Sequence, residues 1–196
     1  TYAEIPFTTI YDKEVLGDEL LLYDWLHLHH EDFTGQYGKF YRAYRMAPWY
    51  LEQKKEAEVL AQSLGYNKVS QAKRDVVLKI RDYVIGGGFM FAMCSATDSF
   101  DIALSADDVD IAESMFDGDP SESDYQSKIN FNKTFAFKDF NLIRNPTTYE
   151  FSSIDMTTKR FIPKTSDYFS LIEFSAKWDQ VPTMLTQNHT QLVKGF

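Results

Sequence analysis

Apolar and polar positions change their spacing several times along the chain, and each change predicts an element. From position 48 the residues Leu51, Ala57, Leu60, Ala61 and Leu64 share one side of a helix, and Gly65 is placed to end it. A stronger stripe follows. Val69, Ala72, Val76, Val77, Ile80, Tyr83 and Val84 recur at spacings of three and four. That pattern predicts an amphipathic helix with Ser70 as its N-cap and Gly86, Gly87 and Gly88 as its stop. The run "FMFAM" then has no alternation, as expected of a strand buried on both faces. "DSFDIAL" reads as a short helix. Upstream, "LLLYDWLHLHHED" predicts a strand over 23–29 that ends in an ionisable cluster. "FTTIYDKEVL" (7–16) reads as a short strand followed by polar residues. "FTGQYGKFYRAYRMAPWY" reads as a long packed loop.

Helix, glycines, strand, turn and helix in that order predict an α/β domain with a parallel sheet. Residues 107–128 are acidic and read as a loop insertion. Beyond them "KTFAFKDFNLI", "TYEFSSIDM", "DYFSLIEFSAKW" and "VPTMLTQN" alternate between turn residues, which predicts a β-rich C-terminal part of antiparallel or edge strands. There is no internal repeat and no low-complexity segment, so the 196 residues are read as one domain.

Composition narrows the function. Hydrophobic residues make up 44% of the chain and aromatic residues 16%, enough for a sizeable core. The net charge of -9 argues against a nucleic-acid partner, because binding a phosphate backbone needs a basic footprint. No apolar run is long enough to span a bilayer. A single cysteine excludes an internal disulfide. The chain opens on Thr1 rather than Met and reads as a piece of a longer protein.

That cysteine, Cys94, sits where the predicted strand turns into the predicted helix, and it has three readings. The first is a nucleophile elbow. A sharp strand-to-helix turn displays one side chain and requires small residues two before and two after it, here Ala92 and Ala96. The following helix N-terminus would lower the thiol pKa, and the amides of Ser95 and Ala96 would hold an oxyanion. The second is a phosphate loop. "CSATDS" matches the Asp98 and Ser99 of an S-G-G-x-D-S loop but lacks both glycines, and Asp98 serves equally well as an N-cap of "SFDIAL". The third is a plain core cysteine.

"HLHHED" places His27, His29, His30, Glu31 and Asp32 within six residues at the C-terminal end of a strand, where ligands of parallel sheets bind. If that strand neighbours the one before Cys94, His29 or His30 would accept the thiol proton and Glu31 or Asp32 would orient the ring; otherwise these residues hydrogen-bond the long aromatic loop after them. His27 and His29 at spacing two also suit zinc, with Asp32 or His189 as a further ligand, although the run differs in spacing from H-x-H-x-D-H. "DGDPSESDYQ" (117–126) has alternating oxygen ligands but neither the glycine nor the acidic residue of a calcium loop, so a solvated loop is expected. Trp25, Tyr37, Tyr41 and Trp49 would line a sugar-sized groove if the domain binds rather than cuts. No cofactor is called for, and the partner expected is a small molecule or a carbohydrate.

"YDWLHLHHEDFTGQYGKF", "GGGFMFAMCSATDSFDIAL", "MFDGDP" and "EFSAKWDQVPTMLTQNHTQLVKGF" resemble a bacterial family often labelled asparagine synthetase B, over most of the chain. The resemblance implies the fold of the class I glutamine amidotransferase-like superfamily, a flavodoxin-like three-layer sandwich. It also implies longer chains with export signals. It places Cys94 on the elbow where fold relatives carry their catalytic cysteine. It leaves three functions open: a cysteine hydrolase or amidotransferase, a non-catalytic carbohydrate-binding or accessory module, and the ATP-pyrophosphatase chemistry of the label.

Overall fold

The computed structural model describes residues 6–156. Within them the chain is a mixed helix–strand fold built on two parallel strands. After a first turn of helix, α1 (Asp12–Leu16), β1 (Trp25–His29) leads into a loop and a short helix, α2 (Tyr41–Tyr44). Two long helices follow, α3 (Pro48–Ser63) and α4 (Val69–Ile85), then β2 (Phe89–Met93) and α5 (Ala96–Ser105). The rest is mostly irregular, with the short helices α6 (Ser114–Asp117) and α7 (Tyr125–Lys128). The predicted strands beyond residue 156, and His189, lie outside the described residues.

β1 and β2 pair in parallel, from Trp25 opposite Phe89 to His29 opposite Met93. α3 and α4 form the crossover between them. The glycines after α4 are used for their geometry. Gly87 takes φ 107°, the Gly88 amide donates to the Tyr83 carbonyl and the Gly87 amide to that of Val84. These two bonds satisfy carbonyls that the helix end leaves open and turn the chain back into β2. The same pair of bonds closes α3 around Gly65, from Tyr66 to Ala61 and from Gly65 to Gln62.

One face of the sheet carries the core. Leu26 and Leu28 of β1 pack with Val76, Val77 and Ile80 of α4 and with Phe100 and Leu104 of α5. The other face is open among the described residues. Trp25 is 52% exposed, Phe89 59% and Phe91 46%. The expectation that "FMFAM" is buried on both faces is therefore corrected: Phe89, Phe91 and Met93 face outward, and only Met90 and Ala92 pack on the core.

α5 is enclosed on its remaining sides by a second core, in which Ile102 meets Phe137, Phe140, Phe151 and Ile154. This explains a second correction. "KTFAFKDFNLI" and "TYEFSSIDM" form no strands among the described residues; a 3-10 turn (Phe131–Lys133) and an isolated bridge between Leu142 and Ser152 stand in their place. Beyond two backbone bonds beside that bridge, from Ile143 to Phe151 and from Ser153 to Asn141, several of their amides bond to side chains instead of to a ladder. Asp101 takes those of Phe135, Ala136 and Phe137, and Gln126 takes that of Leu142. Three smaller expectations also change. The segment 7–16 ends in helix α1 rather than a strand, the N-cap of α4 is Lys68 with Ser70 inside the first turn, and α5 starts at Ala96 with Ser95 as N-cap, so Asp98 lies within the helix.

Candidate active site at the ends of the two strands

Both strands end in a residue with left-handed backbone. The ladder closes at His29 opposite Met93, and the next residues, His30 (φ 65°) and Cys94 (φ 56°), both enter the left-handed region. Such a conformation costs a non-glycine residue about 1 kcal/mol and persists only where the surroundings impose it. At Cys94 the cause is the abrupt junction of β2 with α5. Ser95 is already helical, and the Thr97 amide donates back to the Cys94 carbonyl at 3.0 Å. Ala96 is fully buried beneath the turn, where a larger side chain has no room. The half-buried thiol is thus held on a sharp bend at the sheet edge.

The electrostatics differ from the expectation of an activated thiol. Burial pushes the Cys94 thiol up, and the charges of Asp98 and Asp155 push the same way. The amide and hydroxyl of Ser95 oppose this without overcoming it. The helix N-terminus therefore does not make Cys94 a resting thiolate.

The carboxylates around the turn divide into used and unused groups. Asp32 is fully engaged by its own loop, accepting from the amide and hydroxyl of Thr34 at 2.7 and 2.6 Å and from the Gly38 amide at 2.8 Å. It shapes the loop rather than orienting a histidine. Glu31 is raised by burial, and its Oε2 is buried without a hydrogen-bond partner. Ser99 ties α5 to the end of β1, donating to the Glu31 carbonyl at 3.1 Å. Asp98 is 1% exposed and neither oxygen is hydrogen-bonded; its own amide and that of Ser99 favour the charge without reaching bonding geometry. Burial, then Asp155, push it up to about 8.

The histidines split. His27 and His29 stand on the open face, as the alternation predicts, with the ring of His27 stacked against Trp25 and its Nε2 3.2 Å from the Met93 sulfur. The His29 ring lies 3.8 Å from that of His30, centroid to centroid. Among the described residues the histidines belong to no group of three potential metal ligands. The carboxylates that do come together are Asp110, Asp117 and Asp119. The Lys68 ammonium already sits among them, 2.5 Å from Asp110, 3.2 Å from Asp117 and 2.5 Å from Asp119. The acidic run is a lysine-bound cluster, and the solvated loop expected there is corrected to this extent.

The four aromatic candidates do not share a groove. Trp25 stands on the sheet, edge-on to Phe89. Tyr37 packs on Tyr50, Tyr41 on Phe116, and Trp49 on Phe40 and Tyr44, around α2 and α3. A cleft of about 310 Å³ opens near the far end of α5, between Lys68, Arg74, Asp107, Asp110 and Glu122. Its charges are paired across it: Arg74 with Asp107, and Lys68 with Asp110. Sequence reading missed Asp155, a lone acid in an alternating run, which no spacing connects to Cys94. No helix among the described residues is long and apolar enough to cross a membrane. Compared with protein-family models, curated proteins and solved structures, the chain matches none.

Proposed function

We propose that the chain is a flavodoxin-like, class I glutamine amidotransferase-like domain that acts as a cysteine-dependent hydrolase or amidotransferase on a C–N or ester bond. The observation that carries this reading is Cys94 in left-handed backbone between a parallel strand and a helix, directly after the last paired residues of the sheet, with His30 directly after the neighbouring strand. Strain of this kind is stored where a side chain must be displayed. The sulfur attacks a carbonyl carbon while its proton passes to the imidazole of His30 or His29. The amides of Ser95 and Ala96 bind the oxyanion. Collapse of the tetrahedral intermediate expels the amine or alkoxide, which takes the proton from the imidazolium, and water then hydrolyses the thioester. Because burial keeps the thiol protonated, the base must act during attack rather than before it.

Intact-mass trapping with a panel of glutamine analogues and activated esters tests this. A covalent acyl adduct on the folded protein is expected, absent in Cys94→Ala and formed more slowly in His30→Asn, which tolerates the left-handed backbone. A folded protein that takes up no adduct overturns the reading.

The open sheet face favours a second reading, a non-catalytic carbohydrate-binding or accessory module. Trp25, Phe89 and Phe91 present exposed aromatic surface, with Trp25 edge-on to Phe89, on which the C–H face of a sugar could pack. Oligosaccharide titration would then quench the Trp25 fluorescence, and Trp25→Ala would abolish binding. The ATP-pyrophosphatase alternative has less support: Asp98 and Ser99 are buried, and both glycines that would let a phosphate approach the backbone are absent.

A further inference from the structure

Asp98 is the third residue of α5, one turn from Cys94. Three nearby polar side chains find partners. Ser99 donates to the Glu31 carbonyl, Asp32 collects three donors, and Asp101, one turn further on, collects three more. Asp98 is as deeply buried and has none for either oxygen. The groups that face it are themselves acidic: Asp155 from the segment after residue 150 and Asp32 from the loop after β1. On the preceding turn its charge reaches the Cys94 sulfur, to which Asp155 also contributes. His29, His30 and Glu31 complete the titratable groups at the end of the neighbouring strand.

An unpaired buried carboxyl can stay in the fold as the neutral acid, and the loss of its proton is then felt wherever its field reaches. We infer that Asp98 is a positioning residue for Cys94, controlling from inside the fold how readily the thiol gives up its proton. The inference rests on reading Cys94 as the nucleophile. While Asp98 holds its proton, it adds no charge at the sulfur. Once it ionises, near pH 8, its charge opposes the thiolate. The pair thus limits thiol ionisation on the alkaline side.

The test is the rate of Cys94 alkylation by iodoacetamide from pH 6.5 to 10, on the full chain and on Asp98→Asn. The two rates are expected to coincide at pH 7 and to separate above pH 8, with Asp98→Asn faster by about threefold or more at pH 9. Profiles that superimpose throughout overturn the inference. So does a variant faster by one constant factor at every pH, since that reports a loosened structure. Should Asp98→Asn fail to fold, the wild type alone decides: a protonated-carboxyl infrared band that disappears between pH 7 and 9 supports the inference, and its absence at pH 7 overturns it. If no acyl adduct forms while the two alkylation profiles still separate, the coupling stands and the reading of Cys94 as an acyl-transfer nucleophile falls.

Discussion

Asp98 and Asp101 lie three residues apart on one helix, and both are nearly sealed from water, at 1% and 2% exposure. Their surroundings could hardly differ more. Asp101 receives the amides of Phe135, Ala136 and Phe137 at 2.8, 2.7 and 2.8 Å and so anchors the segment that closes over α5. Asp98 receives no hydrogen bond and faces other carboxylates. Burial of a charge is tolerable when donors replace its water and costly when they do not. The contrast separates a structural acid from one that the fold retains at a cost.

The largest expected effect comes from breaking the satisfied member. Asp101→Ala leaves three amides without their acceptor, that of Phe137 buried, and should cost about 3 kcal/mol in urea unfolding. A loss below about 1 kcal/mol would mean that residues 134–137 are not docked on α5 in this way.

Lys39 sharpens the same point with the opposite charge. It is buried, yet its ammonium donates to the carbonyls of Ile143 and Asn145 at 2.9 and 3.1 Å. Lys39→Met should cost about 1–3 kcal/mol at pH 10. Burial lowers the lysine to about 8, so the stability it contributes is present above its ordinary value of 10.5 and is lost as pH falls through about 8. The deficit of the variant should therefore shrink over that interval, and a deficit independent of pH would contradict the assignment.

Asp98→Asn should move stability the other way. Asp98 holds its proton more tightly folded than unfolded. Its contribution is fully present below the ordinary value of 3.8 and lost as pH rises through about 8. The variant should thus be more stable than the wild type by about 1–2 kcal/mol at pH 9, with the advantage gone at pH 4. Equal melting curves at pH 9 would erase the distinction between the two acids. The smallest effect belongs to Ser99→Ala, which removes the bond joining α5 to the end of β1 and should cost about 1 kcal/mol. A loss no larger than that of an exposed serine would show that this tie does not hold the site together.

Much of the scaffold was legible before any coordinates. The 3.6-residue stripe from Val69 to Val84 became α4, and the alternation in "WLHLH" placed Leu26 and Leu28 inward and His27 and His29 outward. Those patterns are local, and one buried face suffices to express them. The alternation of Phe135 and Phe137 misled, because Asp101 supplies the acceptor that a neighbouring strand would have supplied. The continuous run of β2 misled for a related reason: apolar residues that look buried stand on a face left open among the described residues. In the candidate site, the sharp turn at Cys94 was foreshadowed by its small neighbours, and Asp32 takes its donors from the loop that follows it, the structural one of the two roles its position allowed.

The order of residues alone determined the three longer helices α3, α4 and α5, the two strands, the glycine stops and the placing of a thiol and a histidine cluster at strand ends. All of these follow from periodicity and backbone preference within about twenty residues. Only the tertiary structure decided that β1 and β2 are neighbours, that His29 is paired with Met93 so that His30 and Cys94 leave the sheet at the same end, and that Asp155 arrives beside Asp98 from over fifty positions away. It also decided the protonation of the thiol. The field at a buried sulfur is the sum over whatever charges the fold gathers there, and these come from segments that no local pattern connects.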